Sequence, residues 1–235
     1  MSAAPLATKA SASTAAVDQP RERTSSKYVF VTVGASASFK PLIEEVISDA
    51  FLAKLESLSF THLNVQCGPD YEFFKAAVAA RPAGKLNITG FAFKDDLFYD
   101  MDDTTPDESE TAVRHPGLII THAGSGSILD GLDTNSNLIA VPNTSLMDNH
   151  QSEIAEEMER QGFLVQGKIG SLIDAVDKAA QQTDKPHWPP PADPNAQWPG
   201  GLWEIIHALL PPDQHGYSGN GTAAVQAGPP KPHPA

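Results

Sequence analysis

Between residues 28 and 183 the chain alternates two kinds of apolar pattern. Residues 28–33, YVFVTV, form a near-continuous β-branched and aromatic run closed by Gly34, which is how a strand buried on both faces reads. From Phe39 to about Leu58, apolar positions 39, 42, 43, 46, 47, 51, 52 and 55 recur at helical spacing, with Pro41 accommodated in the first turn. The alternation then repeats. His62 to Cys67 predicts a second strand ending at Gly68-Pro69, and Tyr71 to Ala80 a short helix. Residues 87–93, NITGFAF, predict a third strand, and Asp96 to Met101 a single helical turn. Gly117 to Thr121 reads as a fourth strand, Ser127 to Leu132 as the start of a helix, and Leu138 to Val141 as a fifth strand. Asn149 to Gln161 predicts a helix that stops at Gly162, a residue suited to a helix C-terminus. Phe163 to Val165 is a short final strand and Ile169 to Ala180 a closing helix. Strands alternating with helices predict an α/β fold, with a parallel sheet covered by helices on both faces.

The two ends of the chain do not follow this pattern. Residues 1–26 contain 15 Ala, Ser or Thr and no apolar run longer than three, the composition of a disordered leader. Residues 184–235 hold 12 of the 20 prolines and 6 glycines, a Pro-rich tail that cannot supply a packed core. The folded domain is therefore expected at 27–183. Within the tail, residues 201–210, GLWEIIHALL, place Leu202, Trp203, Ile205, Ile206, Leu209 and Leu210 in a wide apolar stripe at helical spacing. A helix this short is unstable alone, so it is expected to dock.

The net charge of −13 excludes an ordinary nucleic-acid surface, which needs clustered Lys and Arg. Much of the negative charge lies in 95–110, DDLFYDMDDTTPDESE, with eight acidic residues, and this run reads as a solvated loop. It contains Asp100-Met101-Asp102, an Asp-x-Asp pattern used by some sugar transferases to hold a metal. So short an acidic run matches by chance, and no metal is assigned. Cys67 is the single cysteine, which removes disulfides and Cys-based zinc sites and fits a reducing compartment. The leader has no apolar core of a signal peptide, and no run approaches the roughly 18–20 apolar residues of a membrane helix. Any membrane attachment is expected through a partner.

In parallel sheets of this kind, ligands sit at the carboxyl ends of strands, near helix N-termini. That rule selects 34–38 (GASAS), 122–127 (HAGSGS) and 143–151 (NTSLMDNHQ), which are also the loops richest in small and polar residues. A dinucleotide fingerprint starting at Gly124 needs a third glycine where Leu129 stands. A nucleophile elbow on Ser125 needs glycines where Ala123 and Ser127 stand, and no Gly-Lys-Ser/Thr exists for a Walker loop. Two readings of Gly124, Ser125, Gly126 and Ser127 survive: an anion-binding loop whose N–H groups and helix dipole face a diphosphate, or a tight strand-to-helix corner. Asp130, one turn inside the helix, either meets the hydroxyls of a ribose or is an exposed acid favoured by the dipole. Asn149, His150 and Gln151 with Glu153 either present donors and acceptors to a sugar or form the polar first turn of a helix.

Three segments in this order, FVTVGASASF (30–39), ITHAGSGSILD (120–130) and LMDNHQSEIAEEM (146–158), closely resemble the asparagine-linked glycosylation subunit that forms the donor half of the dolichol-linked UDP-N-acetylglucosamine transferase. The resemblance covers about 28–183. It implies a Rossmann-like domain equivalent to the C-terminal half of a two-domain GT-B enzyme of glycosyltransferase family 28. It further implies that UDP-GlcNAc is the donor and that no cofactor is needed. The acceptor half would be a separate membrane-anchored subunit that recruits this one from the cytoplasm to the cytosolic face of the endoplasmic reticulum. Together they would add the second GlcNAc, β-1,4 and with inversion, to the lipid-linked acceptor GlcNAc-diphosphate-dolichol. By motif, Gly34, Ser36, Gly124 and Ser125 would face the diphosphate, Asp130 the ribose, and Gln151 with His150 and Glu153 the hexose. The family more often has Glu at the ribose position, so Asp130 is a methylene shorter. The general base is unassigned; His122 and His150 are the local candidates. The alternative is a UDP-sugar-binding or scaffolding protein of the same fold without turnover.

Overall fold

A computed structural model describes residues 23–190, apart from Ser36, Glu110, Asn135, 146–149 and Thr183. In chain order its elements begin with β1 (Thr24–Ser26), β2 (Tyr28–Thr32), α1 (Lys40–Val46), α2 (Asp49–Ser57) and β3 (His62–Gln66). They continue with α3 (Tyr71–Ala79), β4 (Asn87–Phe91), α4 (Phe98–Asp102), β5 (Asp107–Glu108), β6 (Ala112–Arg114) and β7 (Leu118–Thr121). The last are α5 (Ser125–Leu132), β8 (Asn137–Ala140), α6 (His150–Arg160), β9 (Val165–Gln166) and α7 (Leu172–Gln181).

Six strands form the main sheet in the order β4-β3-β2-β7-β8-β9, every neighbouring pair parallel. Period-two alternation divides its side chains between two apolar layers. Val29, Val31, Leu63, Val65, Ile120 and Ile139 pack with Leu42, Ile43, Phe51, Leu55 and Val176 from α1, α2 and α7. Phe30, Ile119 and Leu138 face the other way, against Met101 of α4, Ile128 of α5 and Ala155 of α6. Both faces are covered, as the near-continuous apolar strands require.

The register brings one row of residues to the sheet's carboxyl end. Phe91, Gln66, Thr32, Thr121 and Ala140 stand side by side across β4, β3, β2, β7 and β8. They share the face of Phe30 and Ile119, yet three of the five are polar and buried: Gln66 is 1% exposed and Thr32 and Thr121 are 0%. Burying polar side chains is costly unless they find partners, so this row marks where packing gives way to chemistry.

Several sequence expectations need correction. The helix expected over 39–58 is two helices, α1 and α2, because Ser48 restarts the chain as an N-cap whose side chain accepts from the Phe51 N–H. The disordered leader does not extend to residue 26. Thr24–Ser26 form β1, parallel to β6, which also pairs antiparallel with β5 in a second sheet of order β1-β6-β5. The acidic stretch 95–110 is accordingly not all loop, since it holds α4 and β5. Its Asp100 is 8% exposed, bonded by Lys94 at 2.7 and 2.8 Å and by the Asn64 amide at 2.8 Å, so it is part of the packing. The folded unit runs past residue 183 to Pro190: Lys185 Nζ donates to the Ser136 carbonyl at 2.7 Å, and the Trp188 ring meets Phe163 edge-on at 5.4 Å. The helix expected at 201–210 lies outside the described residues.

Candidate functional site

The carboxyl ends of β4, β3, β2 and β7 enclose an open cleft of about 450 Å³. The buried row forms its floor through Gln66 and Thr32. The loop after β2 (Gly34, Ala35), the start of α5 (Gly124–Ser127), Asp130 and the stretch 93–97 form its walls.

The strand-to-helix corner is built around His122. Its imidazole packs by its Nε2–Cε1 edge against two glycines: a Cβ placed on Gly124 would approach Nε2 to 2.5 Å, and one on Gly34 would approach it to 2.8 Å. Both distances are shorter than real Cβ contacts, so these glycines make room for the ring. Gly34 also has φ +83°, where a side chain is strained in any case. Ala123 sits at φ +65° and is fully buried, with its N–H donating to Thr121 Oγ1 at 2.8 Å. A non-glycine residue held in the left-handed region costs on the order of 1–3 kcal/mol, and such strain clusters at functional turns. The strain turns the chain so that α5 begins at Ser125 with Gly124 as a cap that has no side chain to offer. The first intrahelical bond is Ile128 N–H to the Gly124 carbonyl at 3.0 Å. The N–H groups of Ser125, Gly126 and Ser127 therefore have no acceptor among the described residues. A Cβ on Gly126 would meet nothing within 4 Å, so this glycine faces the open cleft.

Burial holds the His122 imidazole below its ordinary pKa, with the Thr32 carbonyl opposing more weakly. The ring is neutral at pH 7, and its Nδ1 is buried without a hydrogen-bond partner among the described residues. Lys94 is the basic side chain in the cleft wall, and its ammonium is committed to Asp100. Attraction for an anion here comes from backbone amides and the α5 dipole.

The loop after β2 is pinned from two sides that the sequence did not reveal. Asp70 accepts from Ser38 Oγ and from the Phe39 N–H at 3.0 Å, which caps the chain into α1. Asn143, 5% exposed, donates to the Ser38 carbonyl at 3.2 Å and accepts from Ser145. Gln151 joins the same network, since its Oε1 accepts from the Asn143 N–H at 3.2 Å.

The sequence-derived site residues thus fall into groups. Gly34, Gly124, Ser125, Gly126, Ser127 and Asp130 line one cleft, together with His122. His150, Gln151 and Glu153 do not line it. Gln151 holds Asn143, whereas His150 and Glu153 are exposed on the first turn of α6 with Nδ1 and Oε2 3.7 Å apart. Ser36 and Asn149 lie outside the described residues. Gln66, Thr32 and Asn143 were missed; Gln66 closes β3, HLNVQ, in which His62 and Asn64 on the same face are polar too, so nothing local set it apart.

Comparison with known proteins gives a consistent result. The model of the glycosyltransferase family 28 C-terminal domain matches residues 28–193. The UDP-N-acetylglucosamine transferase subunit ALG13 of Yarrowia lipolytica is 37% identical, over 61% of this chain and 67% of its own length. Its counterpart in Saccharomyces cerevisiae is 35% identical over 59% of this chain and 76% of its own. The Mus musculus protein of that name is 32% identical, but the match spans only 10% of its length. An NMR solution structure of ALG13 superposes with a TM-score of 0.51 at 29% identity, covering 70% of this chain and 90% of that one.

Proposed function

Since the chain belongs to the family of the glycosyltransferase family 28 C-terminal domain, we propose that it is the donor-binding, catalytic subunit of a UDP-N-acetylglucosamine transferase. The reaction is transfer of the second GlcNAc, β-1,4 with inversion, to GlcNAc-diphosphate-dolichol in the assembly of N-linked glycan precursors. The acceptor half is a separate membrane-anchored subunit, which holds this chain at the cytosolic face of the endoplasmic reticulum. The observation that carries the reading is the α5 start, where the N–H groups of Ser125, Gly126 and Ser127 open, without acceptors among the described residues, onto a cleft that also contains Asp130.

In this reading the donor diphosphate lies on those amides. Displacement of UDP by a sugar hydroxyl builds negative charge on the leaving diphosphate, and fixed N–H donors stabilise it with no reorganisation at the moment of reaction. Asp130 accepts hydrogen bonds from the ribose hydroxyls. His122 shapes the loop, because its Nε2–Cε1 edge packs against both Gly34 and Gly124. The general base comes from the partner or from the exposed first turn of α6, which carries His150 and Glu153. No cofactor takes part.

Calorimetric titration with UDP and UDP-GlcNAc, followed by a transfer assay on GlcNAc-diphosphate-dolichol with the membrane subunit present, tests the proposal. Tight donor binding with transfer supports it. Binding without transfer in the complex would leave the non-catalytic UDP-sugar-binding alternative, and absence of binding would remove both.

A further inference from the structure

Gln66 has no role in the function as stated, yet with Thr32 it is one of two almost fully buried polar side chains that line the cleft. It is 1% exposed and still lines the cavity. Its backbone is held in the sheet between β2 and β4, so the side chain is what reaches the cleft. One end of the carboxamide is anchored. Thr32 Oγ1 bonds it, and the same Oγ1 accepts from the Gly34 N–H at 3.3 Å. The Thr32 hydroxyl proton has no other acceptor among the described residues, which sets the amide with Oε1 toward Thr32 and Nε2 toward the cavity. That Nε2 has no partner among the described residues. A buried donor held by its neighbour and left open to a cleft is preorganised for an acceptor on a ligand.

Position along the sheet decides which part of the ligand that is. The α5 start follows β7, and Gln66 ends β3, two strands away, so the two are separated by about 10 Å across the strand direction. The amides that take the diphosphate and the Gln66 amide therefore cannot share one phosphate group. Around Gln66 the wall is made by 93–97, with Phe93 55% exposed, and Asp130 faces the same cavity. This is the nucleoside end.

We propose that Gln66 is a donor-specificity residue: its Nε2, positioned by Thr32, donates a hydrogen bond to an oxygen acceptor on the nucleoside of the bound nucleotide. The inference rests on the nucleotide-sugar reading given above. Gln66→Met keeps the length and removes the donor. Gln66→Glu keeps an acceptor for Thr32 and replaces the donor with a carboxylate. Calorimetry with UMP, UDP and UDP-GlcNAc is expected to show each variant weakened about tenfold, by a similar factor for all three ligands, because the contact is to the part they share. Wild-type affinity in Gln66→Met, or a loss confined to UDP-GlcNAc, overturns the assignment. The side-chain amide signals of Gln66 in the unsubstituted protein give a second readout independent of variant folding. They should shift on addition of UMP, and unmoved signals at saturation overturn the proposal. If the wild-type chain binds none of the three ligands, the nucleotide-sugar reading itself fails, an outcome distinct from normal binding with an idle Gln66.

Discussion

Gly124 lies against the imidazole of His122 so closely that a Cβ at 124 would come within 2.5 Å of Nε2. Gly34 lies against the same Nε2–Cε1 edge, where a Cβ would come within 2.8 Å. Gly124→Ala is therefore expected to cost roughly 1–3 kcal/mol as an overpacked site and to disturb the anion loop as well. Gly126, two residues on, has open space where its Cβ would be. Gly126→Val should leave the melting temperature within about 2 °C while abolishing UDP binding, the helix propensity of Val being no worse than that of Gly. Thermal melts and UDP titrations of the two variants check this. Equal melting losses in both would show that the two glycines serve packing alone.

His122 gives the fold a pH dependence of definite sign. Its folded pKa is depressed by burial, so the unfolded chain binds the proton more readily. Its contribution to stability is fully present above the ordinary histidine value of about 6.5 and is lost as the pH falls through the lower folded value. Urea melts between pH 7.5 and 5 should show falling stability, with a shallower slope in His122→Gln. An imidazole titration by NMR that placed His122 above the ordinary value would contradict the sign.

For Asp130 the prediction separates binding from folding. The side chain is exposed and bonds to nothing among the described residues, so Asp130→Ala should leave thermal stability unchanged. UDP-GlcNAc affinity should fall about tenfold or more, the scale of a hydrogen bond to a charged group. Asp130→Glu should keep activity similar or raise it. A loss of stability in Asp130→Ala with normal affinity would mean that the carboxylate serves only the helix.

How these residues read from the sequence depended on whether their signal was local. The strands and the helices that cover them were legible because burial on both faces writes long apolar runs, as in YVFVTV, and because α6 ends at Gly162 with φ +81° as its position implied. The His-Ala-Gly-Ser-Gly-Ser turn was legible for a similar reason: small residues between a strand and a helix leave few conformations. Not legible was the pairing of Thr24–Ser26 with Ala112–Arg114, where short segments 88 apart in sequence (Thr24↔Ala112) carry no apolar run to announce a strand. The break at Ser48 was hidden because the apolar spacing continues across it. Gln66 and Asn143 gained meaning only from neighbours brought by other strands, Thr32 for the one and Ser38 for the other.

Asn143 ties the loop after β8 to the loop after β2, which places it between two of the three loops expected to surround a ligand. Asn143→Ala removes its bonds to the Ser38 carbonyl and to Ser145 in a buried setting. The expected cost is about 1–3 kcal/mol. Because the loop that moves carries Gly34, UDP affinity should fall as well, whereas Ser145→Ala should show a small effect on both. Chemical denaturation and calorimetry distinguish these outcomes. Undiminished UDP affinity in Asn143→Ala would show that the tie does not position the cleft.

The segment after α7 allows a sharper test of where the domain ends. Lys185 is half-buried with its pKa pushed down to about 8 by burial, and its hydrogen bond to the Ser136 carbonyl holds it against the loop that precedes β8. Two residues beyond Pro186, which lies against Gly162, the Trp188 ring packs edge-on onto Phe163. Edge-to-face pairs contribute about 0.5–1.5 kcal/mol beyond the area they bury. A chain ending after Asp184 loses all three contacts, and one ending after Pro190 keeps them. The shorter chain should therefore melt several degrees below the longer one, at roughly 2–4 °C per kcal/mol for a domain of this size. Trp188→Ala in the longer chain should reproduce about half of that difference. UDP affinity should be the same in all three, because the contacts lie beyond α5 from the cleft and none of these residues lines it. Equal melting temperatures for the two truncations would place the end of the folded unit before residue 185.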